Sequence, residues 1–408
     1  MEIIRNKQED LKIKPGYYGE WAIHRNLSSE EIEKFLSQGK DFVIRLRAEN
    51  FDLAKSDFND LIKGKISVTE NDTDVVLIKS DKLPTYHFAH VIDDFLMGTT
   101  HVIRGDEWLS SLPIHLEVFK AFGWEAPLYG HLAPILKLDE GNKRKLSKRK
   151  DPESAVDYYD AEGYPTVAIT EYLLNIANSD FEDWRNANPV TDNAEFEISL
   201  SKFSKSGALF SSDKLDNISK TIISKMTAEE VFENTVTWAE KNDKDFKEKL
   251  SQNKEQFINI FGIERDTERP RKDIGKWSDV KEITLYFFED NFQELIKDRE
   301  FINEYPVEIN LVKEILEGYI KIHNTNVTQQ EWFEKLKSLA TELGYASNMG
   351  DFKKNPEQFK GSIADVSMVL RLTLTSKTKA PDLYQMMKVL GDDLVINRIK
   401  GVETKLLF

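Results

Sequence analysis

Beyond Tyr164 the texture of this chain changes, and that change does most to limit what it can fold into. Before it, short apolar runs, turn residues and basic strings alternate. After it, glycine and proline thin out and long amphipathic stretches take over. A stretch with one apolar stripe becomes stable by packing helix against helix. Thr227 with Glu230, and Thr328 with Glu331, have the spacing of a capping box. In that arrangement a hydroxyl and a carboxylate each take up a free backbone N–H at the helix start. The two helices they open present core faces at Val231 and Trp238, and at Trp332, Leu336 and Leu339; Gly344 closes the second. From about 360 to 408 the pattern gives further short helices, broken at Ala380-Pro381 and at Gly391. The last 180 or so residues therefore read as a helical domain, with no internal repeat and no low-complexity linker.

The opening segment mixes helix and strand. Ser28 and Glu31 predict a capped helix over 28–39, with an apolar stripe of Ile32, Phe35 and Leu36 and a stop at Gly39. Phe42 to Arg47 alternates like a strand with one wet face, and Val75 to Ile78 reads as a short buried strand. From Pro84 to Lys150 the expectation is a strand near His101 to Arg104, a helix from Pro113 to Phe122 ended by Gly123, and a strand from His131 to Leu136. Asp93 and Asp94 are expected to cap a turn after a strand. This is half of a nucleotide-binding α/β unit.

At 408 residues, with 40% hydrophobic and 31% charged residues, the chain should form two or three globular domains. It has no apolar run near the roughly 20 residues of a membrane span, and Met1 to Arg5 lacks the character of a secretion signal. Cysteine is absent, so neither disulfides nor thiolate zinc sites can form; a cytoplasmic location is expected. A net charge of −15 excludes a general nucleic-acid coat but leaves room for one local patch. Lys143, Arg144, Lys145, Lys148, Arg149 and Lys150 supply such a patch. Alone, a basic string of this kind is usually a solvated loop. A flexible loop with Lys145 and Lys148 three apart can also bring two ammonium groups onto a polyphosphate, with Ser147 and loop amides adding hydrogen bonds.

What surrounds that string changes its meaning. Upstream lie Thr85-Tyr86-His87, Val91-Ile92-Asp93-Asp94-Phe95-Leu96-Met97-Gly98 and Arg104-Gly105-Asp106-Glu107-Trp108; downstream comes Tyr158-Tyr159-Asp160-Ala161-Glu162-Gly163. In this order, over about 80 residues, they resemble the second half of the active site of the class I glutamyl-tRNA synthetases. Lys14-Pro15-Gly16-Tyr17-Tyr18-Gly19 matches a turn of that family, and Asp365 to Arg371, Pro381-Asp382-Leu383 and Val389-Leu390-Gly391 resemble its anticodon-binding cage. The resemblance implies an α/β, partial Rossmann-like catalytic domain with an α+β insertion, followed by an all-α anticodon-binding domain. It divides the chain into an acceptor-stem-binding insertion (1–83), the second half of the nucleotide-binding domain (84–150), a stem-contact region (151–225) and the anticodon-binding domain (226–408).

The same resemblance implies roles. Lys148 holds the ATP phosphates and stabilises departing pyrophosphate, with Lys145 and Ser147 shaping the loop; preplaced cations suit charge developing on a leaving phosphate. Glu107, Trp108 and Leu136 lie along the ATP ribose and adenine. Tyr86, His90 and Arg104 line the glutamate pocket, His90 standing where the family usually has asparagine. Taken without the family, Trp108 and Leu136 would be ordinary core residues. The implied substrates are ATP carrying Mg2+, glutamate and tRNA(Glu), with no zinc.

Five of the seven histidines (His87, His90, His101, His115, His131) fall within 45 residues. They invite a metal reading, but no helical His-Glu-x-x-His pattern accompanies them, and no dedicated metal is expected. One family feature is not found: the strand, turn and helix with a His-x-Gly-His signature. The expectation is therefore a glutamate–tRNA ligase lacking that N-terminal half and inactive alone, with a separate chain as one source of the missing half. The rival expectation is a noncatalytic tRNA-binding module or half of a split synthetase.

Overall fold

The computed structural model describes residues 2–49, 54–297 and 299–406. The first elements are α1 (Glu2–Asp10), α2 (Ser29–Ser37), β1 (Ile44–Arg45), β2 (Lys55–Asp60), β3 (Gly64–Thr69) and β4 (Val76–Ile78). They are followed by α3 (Tyr86–Met97), β5 (His101–Gly105), α4 (Leu112–Phe122), β6 (Leu128–Leu132), β7 (Leu136–Asp139) and β8 (Asn142–Lys145). From α5 (Val156–Glu162) onward the described elements are helical. No described helix is long and apolar enough to cross a membrane. Residues Met1–Ser147 with Leu173–Phe210 form one compact unit, and Lys148–Tyr172 with Ser211–Phe408 form another.

The first unit is built from pairs of strands. β2 and β3 form an antiparallel hairpin from Lys55↔Thr69 to Asp60↔Gly64. β5 and β6 pair in parallel, His101↔Leu128 through Gly105↔Leu132, with α4 as the crossover. Pro113 sits in the first turn of α4, where its missing N–H costs nothing, and Gly123 ends the helix at φ 69°. β7 and β8 form a second hairpin in which Leu136 faces Lys145. Small cores hold these pieces: Leu46, Leu77, Val91, Val118 and Phe119 in one, Val68, Leu112 and Tyr129 in another.

Several expectations need correction. Val91 to Asp94 lies inside α3, so Asp93 and Asp94 cap no turn; Gly98 ends that helix instead. The strand expected over 131–136 runs over Leu128–Leu132, and Pro134, which has no N–H for a ladder, separates it from β7. The expected flexible loop starts later than its basic string, because Lys145 belongs to β8. The strand of 42–47 shrinks to Ile44–Arg45, paired with β4. The Ser28–Glu31 capping box forms as expected. The stripe behind it does not become core: Ile32 is 45% and Leu36 46% exposed, beside a cavity of about 800 Å³ shared with Phe42 and Arg45.

The second unit matches its sequence more closely. Capping boxes form at Thr227/Glu230 and Thr328/Glu331, opening α-helices at Ala228–Asn242 and Gln329–Glu342. Val231, Trp332, Leu336 and Leu339 join one large core with Phe257, Leu316, Leu370 and Val395. The final helices Ile363–Thr375, Leu383–Leu390 and Asp392–Lys405 break where Pro381 and Gly391 fall.

Candidate active site

Helix α3 places Tyr86, His87 and His90 within one turn of each other, and β5 carries Arg104 toward them. Tyr86 packs against Trp108 at 4.4 Å between ring centroids and stacks on His90 at 5.5 Å and 10°. The Arg104 guanidinium lies over the Tyr129 ring, 4.9 Å from its centroid. The three residues expected to take glutamate are therefore together, with Trp108 beside them.

The surroundings of this cluster are polar. Arg104 Nε donates to His131 Nε2 at 3.0 Å, Nη1 lies 3.1 Å from His115 Nδ1, and Nη2 donates to the Trp108 carbonyl at 3.4 Å. His131 Nδ1 is 2.6 Å from Asp60 Oδ2, and neither side chain is exposed. His115 Nε2 is 3.1 Å from His87 Nδ1. Burial lowers the pKa of His87, His90 and His131, and pushes fully buried His115 down to about 2. All four rings are neutral at physiological pH.

For Asp60, burial pulls the pKa up, but hydrogen bonds from the Lys63 N–H, the His131 ring, and the Ile62 and His131 N–H groups outweigh it. Its carboxyl is held below the ordinary carboxylate range. His90 has Nδ1 3.0 Å from Asp94 Oδ2 and Nε2 3.2 Å from the Tyr129 hydroxyl. Both its ring nitrogens face protein groups, so it offers the pocket its ring. His101 stays out of the cluster and meets Thr100. Among the described residues no group of three or more His, Cys, Asp or Glu side chains could hold a metal ion.

The residues expected along the nucleotide are linked through the second hairpin. Lys145, opposite Leu136 in the register, places Nζ 3.0 Å from Glu107 Oε1. Both side chains are more than half exposed, so this is a surface ion pair. Ser147 closes the first unit's run and Lys148 opens the second unit. The sequence carries no signal for Asp60 or Tyr129 as members of this site; for His115 and His131 it offers their place in the histidine cluster. The clustering of histidines was the available signal; nothing local marked Asp60.

Residues 1–217 match the family model for the catalytic domain of class I tRNA synthetases (E and Q), and residues 269–402 match an anticodon binding domain. The chain is 46% identical to a glutamate–tRNA ligase of Clostridium perfringens, spanning 98% of this chain and 72% of that protein. It is 48% identical to the one of Clostridium beijerinckii, over 97% of this chain and 71% of that protein. A glutamate–tRNA synthetase structure from Elizabethkingia anophelis superposes with a TM-score of 0.69 at 26% identity, covering 99% of this chain and 77% of that one. By these relatives and the order of the matched domains, the chain belongs to the glutamate–tRNA ligase family, with a class I catalytic domain followed by a helical anticodon domain.

Proposed function

We propose that this chain binds glutamate, ATP and tRNA(Glu) and contributes to forming glutamyl-tRNA, in a cytoplasmic setting. Tyr86 and Arg104 take the amino acid, with His90 shaping the wall. Trp108, Glu107 and Leu136 take the nucleoside. Lys148, assisted by Ser147 and Lys145, meets the triphosphate. The glutamate carboxylate attacks the α-phosphate of ATP, the bond to pyrophosphate breaks, and the glutamyl group then passes from the adenylate to a hydroxyl of the tRNA terminal ribose. Enzymes of this family use ATP with Mg2+, which prefers phosphate oxygens and water as ligands and would arrive on the nucleotide. The four-part division at 83, 150 and 225 belongs to the same reading.

The observation that carries the proposal is the convergence of Tyr86, His90, Arg104 and Trp108 in one cluster of side chains in the first unit. A second observation refines it. Arg104 sits on a sheet of two parallel strands, with Ile103 42% and Leu128 51% exposed. Parallel sheets are normally wider and covered on both faces. We infer that further strands complete the nucleotide site when it is active.

The test is glutamate- and tRNA-dependent pyrophosphate exchange, together with tRNA binding, on the chain alone. The expected result is exchange near background with salt-sensitive tRNA binding. Robust exchange that Lys148→Ala abolishes would retain the ligase reading and remove the need for further strands. Failure to bind tRNA even at low salt would count against the reading as a whole.

A further inference from the structure

Asp60, His131, Arg104, His115 and His87 form one continuous file of hydrogen bonds drawn from β2, β6, β5, α4 and α3. Two members fix the direction of every proton in it. Asp60 Oδ1 already accepts the backbone N–H groups of Ile62 at 2.9 Å, Lys63 at 2.8 Å and His131 at 3.2 Å. An ionised carboxylate has nothing to donate, so the proton between Oδ2 and His131 Nδ1 sits on the ring. A neutral imidazole carries one N–H, which leaves Nε2 of His131 as the acceptor that Arg104 Nε–H needs.

On the far side the guanidinium is donor-only, so His115 Nδ1 must accept from Arg104 Nη1. The His115 proton is thereby driven to Nε2, where it donates to His87 Nδ1. The His87 proton is left on Nε2. Burial that keeps all three rings uncharged is consistent with this single pattern. Flipping any ring would set two donors against each other.

We propose that Asp60, His131, His115 and His87 are positioning residues that lock the Arg104 guanidinium in one orientation for a substrate carboxylate. Arginine has five N–H donors, and His131, His115 and the Trp108 carbonyl take one each. The Tyr86 hydroxyl is a further partner of the guanidinium, and a carboxylate that takes its place meets the terminal N–H groups in the fork–fork geometry that gives arginine its selectivity. The role of Arg104 as the carboxylate partner is that of the proposed function; its restraint by the file is new.

Nitrogen-15 spectra of the full chain, with labelled histidine and arginine, read this directly. In the wild type His131 should carry its proton on Nδ1 and His115 on Nε2, with the Arg104 Nε–H exchanging slowly with water. Asp60→Asn keeps the shape of Asp60, but the three backbone donors hold the amide oxygen and turn the NH2 group toward His131. The His131 proton should then move to Nε2, Arg104 Nε–H should exchange at least tenfold faster, and the shift of that signal on titration with glutamate should need at least tenfold more ligand.

His115→Gln, which can still accept from Arg104, should leave the titration within threefold, whereas His115→Leu should not; this pair carries the test should Asp60→Asn fail to fold. A wild-type His131 protonated on Nε2, or Arg104 exchange unchanged in Asp60→Asn, overturns the proposal. Tautomers and exchange as described, with no wild-type response to glutamate, would uphold the restraint of Arg104 and remove only the substrate assigned to it.

Discussion

The indole N–H of Trp238 donates to the carbonyl of Ala161 at 2.9 Å, tying α5 (Val156–Glu162) to the helix Ala228–Asn242 within the second unit. A second tie runs from the Trp277 N–H to the Gly163 carbonyl at 2.9 Å, and Lys276 pairs with Glu162. Gly163 ends α5 at φ 85°, and an added Cβ there would lie 2.9 Å from both Trp238 and the Trp277 side chain. The Tyr158–Gly163 segment, recognisable in sequence, is thus the clip that fastens the residues after the lysine string to the helical bundle.

Gly163→Ala combines an unfavourable left-handed backbone with overpacking against the Trp238 indole and the Trp277 Cβ. The expected loss is about 2–4 kcal/mol, read as a lower midpoint of the second unit's thermal transition and a change in tryptophan fluorescence. A variant that melts like the wild type would show that the clip has slack.

Lys145 and Lys148 should not be equivalent. Lys145 is anchored in β8 and shares a surface ion pair with Glu107, an interaction of about 0.2–1 kcal/mol. Lys145→Ala should change ATP-dependent pyrophosphate exchange by no more than severalfold. Lys148→Ala removes the cation assigned to the leaving phosphate and should cost about 100-fold or more. Equal losses would mean that Lys145 leaves Glu107 to join the phosphates.

Arg104→Lys keeps the charge but not the fork. A lysine ammonium cannot serve the His131, His115 and Trp108 acceptors from one planar group and still offer two parallel donors. Glutamate affinity measured by calorimetry or titration should fall by about ten- to a hundredfold. Near-normal binding would place the carboxylate elsewhere.

What the sequence made legible follows from how local each signal is. The helical unit announces itself through caps and stripes, Thr227 with Glu230 and Thr328 with Glu331, and these survive intact. The β2–β3 hairpin leaves little trace in the sequence because Lys55 to Thr69 is mostly polar, with Phe58, Ile62, Ile66 and Val68 scattered through it as its inward apolar residues. Lys145 looked like a loop residue because its strand character comes from pairing with Leu136, a relation between residues nine apart. The members of the pocket were readable as a set, but the restraint on Arg104 was not. It depends on Asp60, which arrives from another hairpin with no local mark of its own.

That buried file makes the first unit sensitive to acid. His87, His90, His115 and His131 all have folded-state pKa values below the ordinary 6.5, with His115 near 2. Below about 6.5 the unfolded chain takes up protons that the folded one refuses, so stability falls as pH drops from there toward each folded value. Each proton contributes up to about 1.4 kcal/mol per pH unit. Asp60 acts lower: its depressed pKa adds stability that is present above the usual 3.8 and lost as pH falls through the folded value. The second unit has a lowered histidine of its own, His323, and so a shallower dependence. Hydrogen exchange at pH 7 and pH 5, corrected for intrinsic rates, should show β2, β5 and β6 opening before the helices of the second unit. Replacing His115 with Gln should flatten that dependence by removing the ring with the most strongly depressed pKa. If the first unit keeps the same protection at both pH values, its histidines are not held neutral by burial.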